Sequence, residues 1–279
     1  MLELNICNVV NAPLWGYTKG GNMMRNFKWI LAALLLATTI CFMACETTKV
    51  ASTTNEAASE PTGPYKVGDI VLNDGSSIAY TPELTLTGQQ KAKAIAVIYK
   101  VEGGKAYGVG LVQNTKGLAW CLNSAKGFET KISAIECTPG ASGRNMTFTG
   151  DTDGSDNFAK IGEALGNNDD TNDLSKYPAF EFAINYKDKA GSHVKGTAYE
   201  TGWYLPALSE LLDIWLEKKT VNAASKICGG SEFANRWYWS SSQDPDNDTA
   251  YLLNFELGGA ERNVKMEDTN FVCCIRIFE

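Results

Sequence analysis

The stretch Arg236-Trp237-Tyr238-Trp239-Ser240-Ser241-Ser242-Gln243 decides how the chain can fold. Its aromatic and hydroxyl side chains predict a β-strand in which Trp239 and Ser241 share the buried face while Tyr238 and Ser240 face outward. The acidic segment Asp244-Pro245-Asp246-Asn247-Asp248 follows at once and predicts an exposed loop, because charged groups resist burial. Two interpretations are open: the strand and loop form a ligand-binding face, or the strand is simply buried and the loop is an ordinary turn.

Composition limits the classes of function. The chain has 279 residues, a formal net charge of -7 and a single histidine, His193. We expect no nucleic-acid partner, because phosphate recognition needs grouped Lys and Arg side chains and no such group is evident. A His-rich metal site is excluded, and we interpret His193 as a solvated loop residue. The sequence predicts neither a resident cofactor nor a metal site.

The N-terminal part predicts export. We interpret residues 1–22, which have no clear pattern, as a mis-assigned leader ahead of a start at Met23 or Met24. Residues 23–44 combine two positive charges with a short apolar run, as in a secretory signal peptide, the alternative being an uncleaved anchor. The residues Phe42-Met43-Ala44-Cys45 resemble a relaxed bacterial lipobox, which implies lipidation of Cys45. We therefore expect a membrane-anchored lipoprotein of the outer membrane or cell surface.

A polar segment separates this anchor from the folded part. Residues 45–63 are rich in Thr, Ser, Ala and Glu without an apolar period, which predicts a disordered tether. Residues 64–279 are expected to form a single domain. Strands are predicted at 67–72, 94–99, 106–112, 117–121, 249–255, 260–266 and 272–278, and helices at 157–165, 177–184 and 208–218. Residues 85–91 are expected to form a loop. The order strands, helices, strands predicts an α+β fold with antiparallel pairing.

Four motifs carry a family likeness. They are Gly202-Trp203-Tyr204-Leu205-Pro206 followed by Glu210-Leu211, then Tyr238-Trp239-Ser240-Ser241-Ser242, then Asn254-Phe255 followed by Gly258 and Lys265, and last Val272-Cys273-Cys274-Ile275-Arg276. In this order they resemble the C-type-lectin-fold domains related to formylglycine-generating enzymes, a group that includes the variable proteins of diversity-generating retroelements and spirochaete surface lipoproteins. The resemblance implies irregular antiparallel sheets with two main helices and a ligand surface built by the last strands and loops. One departure is Cys273, which replaces an arginine usual in the family.

The resemblance also implies which positions are fixed and which face a ligand. The framework would be Trp239, Ser240, Ser241, Ser242, Ala250, Phe255, Gly258, Lys265 and the final strand. The outward, variable-like positions would be Arg236, Asp244, Asp246, Asn247, Asp248, Leu252, Glu256, Leu257, Ala260, Glu261 and Asn263. We expect Trp237 and Tyr238 to add stacking contacts to a protein or glycan ligand. The acids of residues 244–248 could also bind calcium, since hard cations favour such oxygens.

Two alternatives to an adhesin-like or receptor-like binding protein stay open: a divergent periplasmic enzyme of the formylglycine-generating type, and a structural envelope lipoprotein. Members of that enzyme group use a pair of reactive cysteines. Here the only close pair is Cys273 and Cys274, which would point to opposite faces of a strand and could not react together. Glu210 and Asp213 lie three apart on a predicted helix, and we interpret them as surface charges. We therefore expect a binding protein and not an enzyme.

Overall fold

Three antiparallel sheets and five α-helices make up the part of the chain that the computed structural model describes, residues 65–166 and 170–279. The strands are β1 (Ile70–Leu72), β2 (Ser77–Ile78), β3 (Ala94–Glu102), β4 (Lys105–Gly110), β5 (Cys137–Pro139), β6 (Phe148–Gly150), β7 (Trp237–Gln243), β8 (Thr249–Asn254), β9 (Ala260–Val264) and β10 (Ile275–Phe278). The helices are α1 (Gly88–Lys93), α2 (Asn157–Ala164), α3 (Pro178–Ile184), α4 (Leu208–Leu216) and α5 (Lys218–Cys228). The predicted mixture of helices with antiparallel sheets is confirmed.

The predicted N-terminal anchor and tether are not among the described residues. The predicted leader (1–22), signal peptide (23–44), lipidation site Cys45 and tether (45–63) lie outside the described residues. They stay predictions, as do the domain boundaries. Within the described ranges no helix has both the length and the apolar character needed to cross a bilayer.

The first sheet is built around the strand with the longest apolar run. Its order is β10-β4-β3-β1-β2, so β3 is central, as its continuous apolar sequence predicts. The hairpin of β5 with β6 forms a second sheet, and β7, β8 and β9 form a third in that order. In the third sheet β9 is an edge strand, and Leu252 of β8 lies opposite Glu261 of β9.

Strands β7 and β8 are buried on both faces, because alternate residues enter two different cores. Trp239, Ala250 and Leu252 pack into the core that contains Trp120 and Phe180. Tyr238, Tyr251, Leu253 and Phe255 pack into a second core, which contains Leu208 and Leu211 of α4. The third sheet therefore packs against a different core on each face. Its solvent-exposed parts are the hairpin ends and the β9 edge.

Two local predictions are wrong. Residues 85–91 were expected to form a loop, but α1 begins at Gly88 after a capping box: the Gln90 amide donates to Thr87 Oγ1 at 3.2 Å, and the Thr87 amide donates to Gln90 Oε1 at 2.9 Å. Residues 117–121 form no strand. The Trp120 amide instead donates to the Lys265 carbonyl at 2.8 Å, so this segment packs beside β9 as irregular chain.

Candidate functional site

The loop of residues 244–248, between β7 and β8, is fixed through its main chain. Gln243 Nε2 donates to the carbonyls of Asp246 at 3.3 Å and Asn247 at 3.2 Å. Lys265 contributes twice: its Nζ donates to the Asn247 carbonyl at 2.5 Å, and its amide donates to the Asp248 carbonyl at 2.9 Å. The side chains of Asp246, Asn247 and Asp248 remain exposed. The loop is thus rigidly positioned while its side chains face solvent.

Lys265 ties this loop to a second one. Its side chain is fully buried, and Nζ also donates to the carbonyls of Gly127 at 2.7 Å, Phe128 at 3.2 Å and Thr130 at 3.3 Å. The ammonium lies 5.0 Å from the centre of the Trp120 ring, which adds a cation–π contact. Burial lowers the pKa of Lys265 to about 8. One side chain therefore joins residues 127–130 to the 244–248 loop.

The two loops enclose an open polar depression, the acidic rim, lined by Glu129, Pro245, Asp246, Asn247 and Asp248. The guanidinium of Arg262 on β9 reaches this rim, with Nη1 2.8 Å from Asp246 Oδ2. Sequence reasoning missed both Glu129 and Arg262. Glu129 is remote in the chain and has no local signal. Arg262 could have been found, since it lies between two proposed ligand positions on one strand.

The predicted ligand-binding residues form two groups, separated by the length of β8, which is about 17 Å for six residues. Beside the 244–248 loop lie Asp246, Asn247, Asp248 and Asn263. At the other end of the sheet lie Arg236, Trp237, Glu256, Leu257 and Ala260. Leu257, at the tip of the β8–β9 turn, is 73% exposed, and Glu261 is exposed on the β9 edge between the groups.

Three of the predicted outward residues are buried, so that prediction is wrong for them. Tyr238 is fully buried and donates its hydroxyl to Gln113 Oε1 at 2.9 Å. Leu252 is buried at 3% exposure because it faces the first core. Asp244 is 2% exposed, and its Oδ1 accepts from the Asp246 amide at 2.8 Å and from Thr249 Oγ1 at 3.0 Å. Asp244 shapes the loop from within and does not face a ligand.

The serines of the opening stretch are buried hydrogen-bonding groups, so the outward placement of Ser240 is also wrong. Ser240 Oγ donates to the Tyr251 carbonyl at 2.8 Å across the β7–β8 pair. Ser241 Oγ lies 2.8 Å from the side-chain amide of Asn157, the first residue of α2. Ser242 Oγ accepts the Leu208 amide at 3.0 Å and so satisfies a free donor at the start of α4. The serines join this strand to two helices.

Glu210 is also not the surface charge that its helical spacing predicts. It is 6% exposed, and its Oε2 accepts the amides of Ala207 at 2.8 Å and Gly154 at 3.1 Å. Tyr204 donates its hydroxyl to Oε1 at 2.9 Å. Burial raises the pKa of Glu210 to about 7, and these hydrogen bonds oppose the shift. Asp213, by contrast, is partly exposed and pairs with Lys100 at 3.0 Å. Glu210 therefore fastens the start of α4.

The two adjacent cysteines enter different cores, Cys273 the second and Cys274 the first. The prediction that they point to opposite faces is confirmed. Burial raises the pKa of both thiols. Since the thiolate is the reactive form of cysteine, these environments favour inert packing over redox chemistry.

Metal binding at the acidic loop meets competition from Arg262. In residues 65–166 and 170–279, no group of three or more His, Cys, Asp or Glu side chains converges in a way that could hold a metal ion. Arg262 Nη1 lies 3.3 Å from Asp244 Oδ1 and already supplies positive charge there. The expectation of weak calcium binding stays a prediction, and a calcium ion at Asp244 would have to displace this arginine.

Comparison with known proteins finds similarity only at the level of solved structures, and that similarity is distant. No family model matches the chain, and no curated protein matches it. Among solved structures it is similar to a fimbrial protein from Bacteroides ovatus ATCC 8483, with 17% sequence identity and a TM-score of 0.47 over 76% of this chain and 48% of that one. The chain thus spans about half the length of that protein. This similarity does not establish a shared fold, and the expected C-type-lectin fold stays a prediction.

Proposed function

We propose that this chain is an exported, lipid-anchored binding protein of the outer membrane or cell surface, with a C-type-lectin-like domain that recognises its ligand through the acidic rim. One observation carries the proposal. The buried side chains of Gln243 and Lys265 hold the 244–248 loop by its main-chain carbonyls while Asp246, Asn247 and Asp248 face solvent.

This mode of attachment suits a recognition surface. Every residue type has a main-chain carbonyl, so bonds to that group do not depend on the side chain at the same position. The exposed side chains can therefore be exchanged while the loop keeps its place, as a diversified binding surface requires. A loop fixed in advance also loses little conformational entropy when it binds.

Charge narrows the ligand class. The rim brings together the carboxylates of Glu129, Asp246 and Asp248, and within residues 65–166 and 170–279 only Asp246 of these three pairs with an arginine. Complementary charge steers association and selects partners. The ligand that fits best is a protein surface carrying lysine or arginine, in preference to a neutral glycan.

A pair of double variants tests the rim. In the full-length chain, D246A/D248A removes two exposed acids from the rim, and E83A/E163A removes two exposed acids from other segments. Capture is measured on an array of purified extracellular proteins and on a glycan array, at low and at high salt. We expect near-normal melting for both variants and loss of salt-sensitive protein capture for D246A/D248A alone. Equal capture by D246A/D248A and the unaltered chain would refute the rim as the binding face.

Anchoring is tested separately. Replacing Cys45 with Ser should abolish incorporation of a labelled fatty acid and release the chain into the soluble fraction. Protease treatment of intact cells then determines whether the domain lies on the outer surface. A neighbouring template repeat and reverse transcriptase gene would support diversification of the C-terminal segment, whereas continued fatty-acid labelling of Cys45→Ser would remove the lipid anchor from the proposal.

A further inference from the structure

Arg276 on β10 packs beside two aromatic rings, but its Nε has no hydrogen-bond acceptor. Its guanidinium carbon lies 5.4 Å from the centre of the Tyr199 ring and 5.9 Å from that of Phe278. Gly202, with a φ of +83°, allows this approach, since a Cβ at Gly202 would collide with Arg276 Nη1. The chain thus uses two aromatic rings and a glycine to fix the orientation of one half-buried arginine.

The side chain of this arginine has no polar partner in the described ranges 65–166 and 170–279. Its guanidinium forms no ion pair or hydrogen bond there, and its Nε is enclosed without an acceptor. Glu200, which follows Tyr199 in the chain, is engaged elsewhere, by Lys187 at 3.0 Å and by the Gly196 amide at 2.6 Å. Burial lowers the pKa of Arg276, an effect that an added negative charge would reverse. A buried donor without a partner calls for an explanation, because such groups are rare.

We propose that Arg276 binds the carboxylate of a ligand. Arg276 is half-buried as a whole, and among its nitrogens Nε is the one enclosed without an acceptor. Two parallel N–H donors of a guanidinium match the two oxygens of a carboxylate. Arg276 itself supplies one positive charge, which matches a monoanion better than a phosphate dianion. The cation–π contacts with Tyr199 and Phe278 restrict the orientation of the guanidinium before the ligand arrives.

This site is separate from the acidic rim. Arg276 lies on the first sheet, whereas the rim is built at the end of the third sheet. The two sites also have opposite charge. Loss of carboxylate binding at Arg276 and loss of protein capture at the rim are therefore independent results.

The test uses full-length chain labelled with ¹⁵N-arginine. The Nε–H signal of Arg276, assigned by its disappearance in R276K, is followed by NMR during titration with sodium acetate, with sodium chloride as the ionic-strength control. We expect a saturable shift with acetate that chloride does not reproduce. Glucuronate and N-acetylglycine are then compared: the tighter ligand shows whether the carboxylate belongs to a sugar acid or to a peptide terminus.

The variants are labelled uniformly with ¹⁵N, and acetate binding is followed through the backbone amides of Tyr199 and Gly202, because R276M and R276K lack the Arg276 Nε–H signal. R276M should weaken acetate binding about tenfold or more, as expected for loss of a charge-assisted hydrogen bond. The matched control is R144M, since Arg144 is also an arginine beside an aromatic ring, 5.8 Å from the centre of Trp215. If R276M does not fold, R276K decides, because lysine keeps the charge but not the planar fork and should still bind more weakly. A linear drift identical to that with chloride, or unchanged binding in R276K, would overturn the proposal.

Discussion

Replacing Lys265 with methionine should loosen the 244–248 loop of the acidic rim far more than it destabilises the whole domain. Methionine fills a similar volume without an N–H donor. It leaves the carbonyls of Gly127, Phe128, Thr130 and Asn247 without the ammonium they now surround. Both loops of the acidic rim lose their common attachment in a single substitution.

The magnitude follows from two opposing effects. An ammonium has three N–H donors, and each hydrogen bond to a charged group contributes about 1.5 kcal/mol or more, so roughly 4–5 kcal/mol is lost. Burial lowers the pKa of Lys265 from 10.5 to about 8, which corresponds to about 3 kcal/mol of desolvation that methionine no longer incurs. We therefore expect the free energy of unfolding to fall by only about 1–2 kcal/mol.

Urea denaturation measures that change, and hydrogen exchange measures the local one. Amides of residues 127–130 and 246–248 should exchange much faster in K265M, while those of the central strand β3 should change only as global stability does. K218M is the matched control, because Lys218 Nζ is half-buried and donates to the Phe255 carbonyl at 2.7 Å without touching either loop. Normal protection of both loops in K265M would refute the view that this lysine positions the rim.

Three further predictions concern a core leucine, a buried carboxyl group and a helix cap. L252A should cost about 2–5 kcal/mol because it opens a cavity in a core, whereas L257A, at a position 73% exposed, should change stability by less than about 0.5 kcal/mol; thermal melting compares them, and equal costs would contradict the buried placement of Leu252. Burial raises the pKa of Glu210 from 4.5 to about 7, so the folded chain retains a proton that the unfolded chain has lost. The free energy of unfolding should therefore fall by about 3 kcal/mol as pH rises from about 4.5 to 7, and E210Q should remove that slope; an identical pH profile in E210Q would assign the effect to another group. T87A should cost about 1 kcal/mol in urea denaturation through loss of the α1 cap, and no measurable cost would show that the capping box is dispensable.

The hydrophobic pattern predicts where the strands occur better than it predicts which of their faces are buried. The family resemblance implies that Leu252 faces outward, and such a placement holds for a strand in a sheet with one solvent-exposed face. The run Tyr251-Leu252-Leu253 is apolar at every position, and such a run indicates burial on both faces. That signal was present in the sequence. It conflicts with the family resemblance, which places ligand contacts on this strand.

The other wrong predictions differ in whether local sequence could have prevented them. The Thr87-x-x-Gln90 spacing is a visible capping box, so α1 was predictable from local sequence. The burial of Glu210 was not, because its partners Gly154 and Tyr204 come from other segments that only the fold brings near. The same holds for Lys265. Its neighbours in the sequence give no indication that four main-chain carbonyls, from residues 127–130 and from Asn247, surround its ammonium group.

The double burial of β7 and β8 restricts where this chain can recognise anything. A strand that packs into two cores cannot vary on either face without loss of stability, so Tyr238 and Leu252 are fixed by packing as firmly as Trp239 is. Positions that can change without a folding cost lie at the hairpin ends and on the β9 edge. At the 244–248 end the buried side chains of Gln243 and Lys265 hold the loop through main-chain carbonyls. In the turn after β8, half-buried Lys218 donates to the Phe255 carbonyl, and Asn254 accepts the amides of the turn that presents Leu257. Both hairpin ends therefore combine exchangeable side chains with a held main chain, and the acidic rim adds the carboxylates that the proposed basic partner requires.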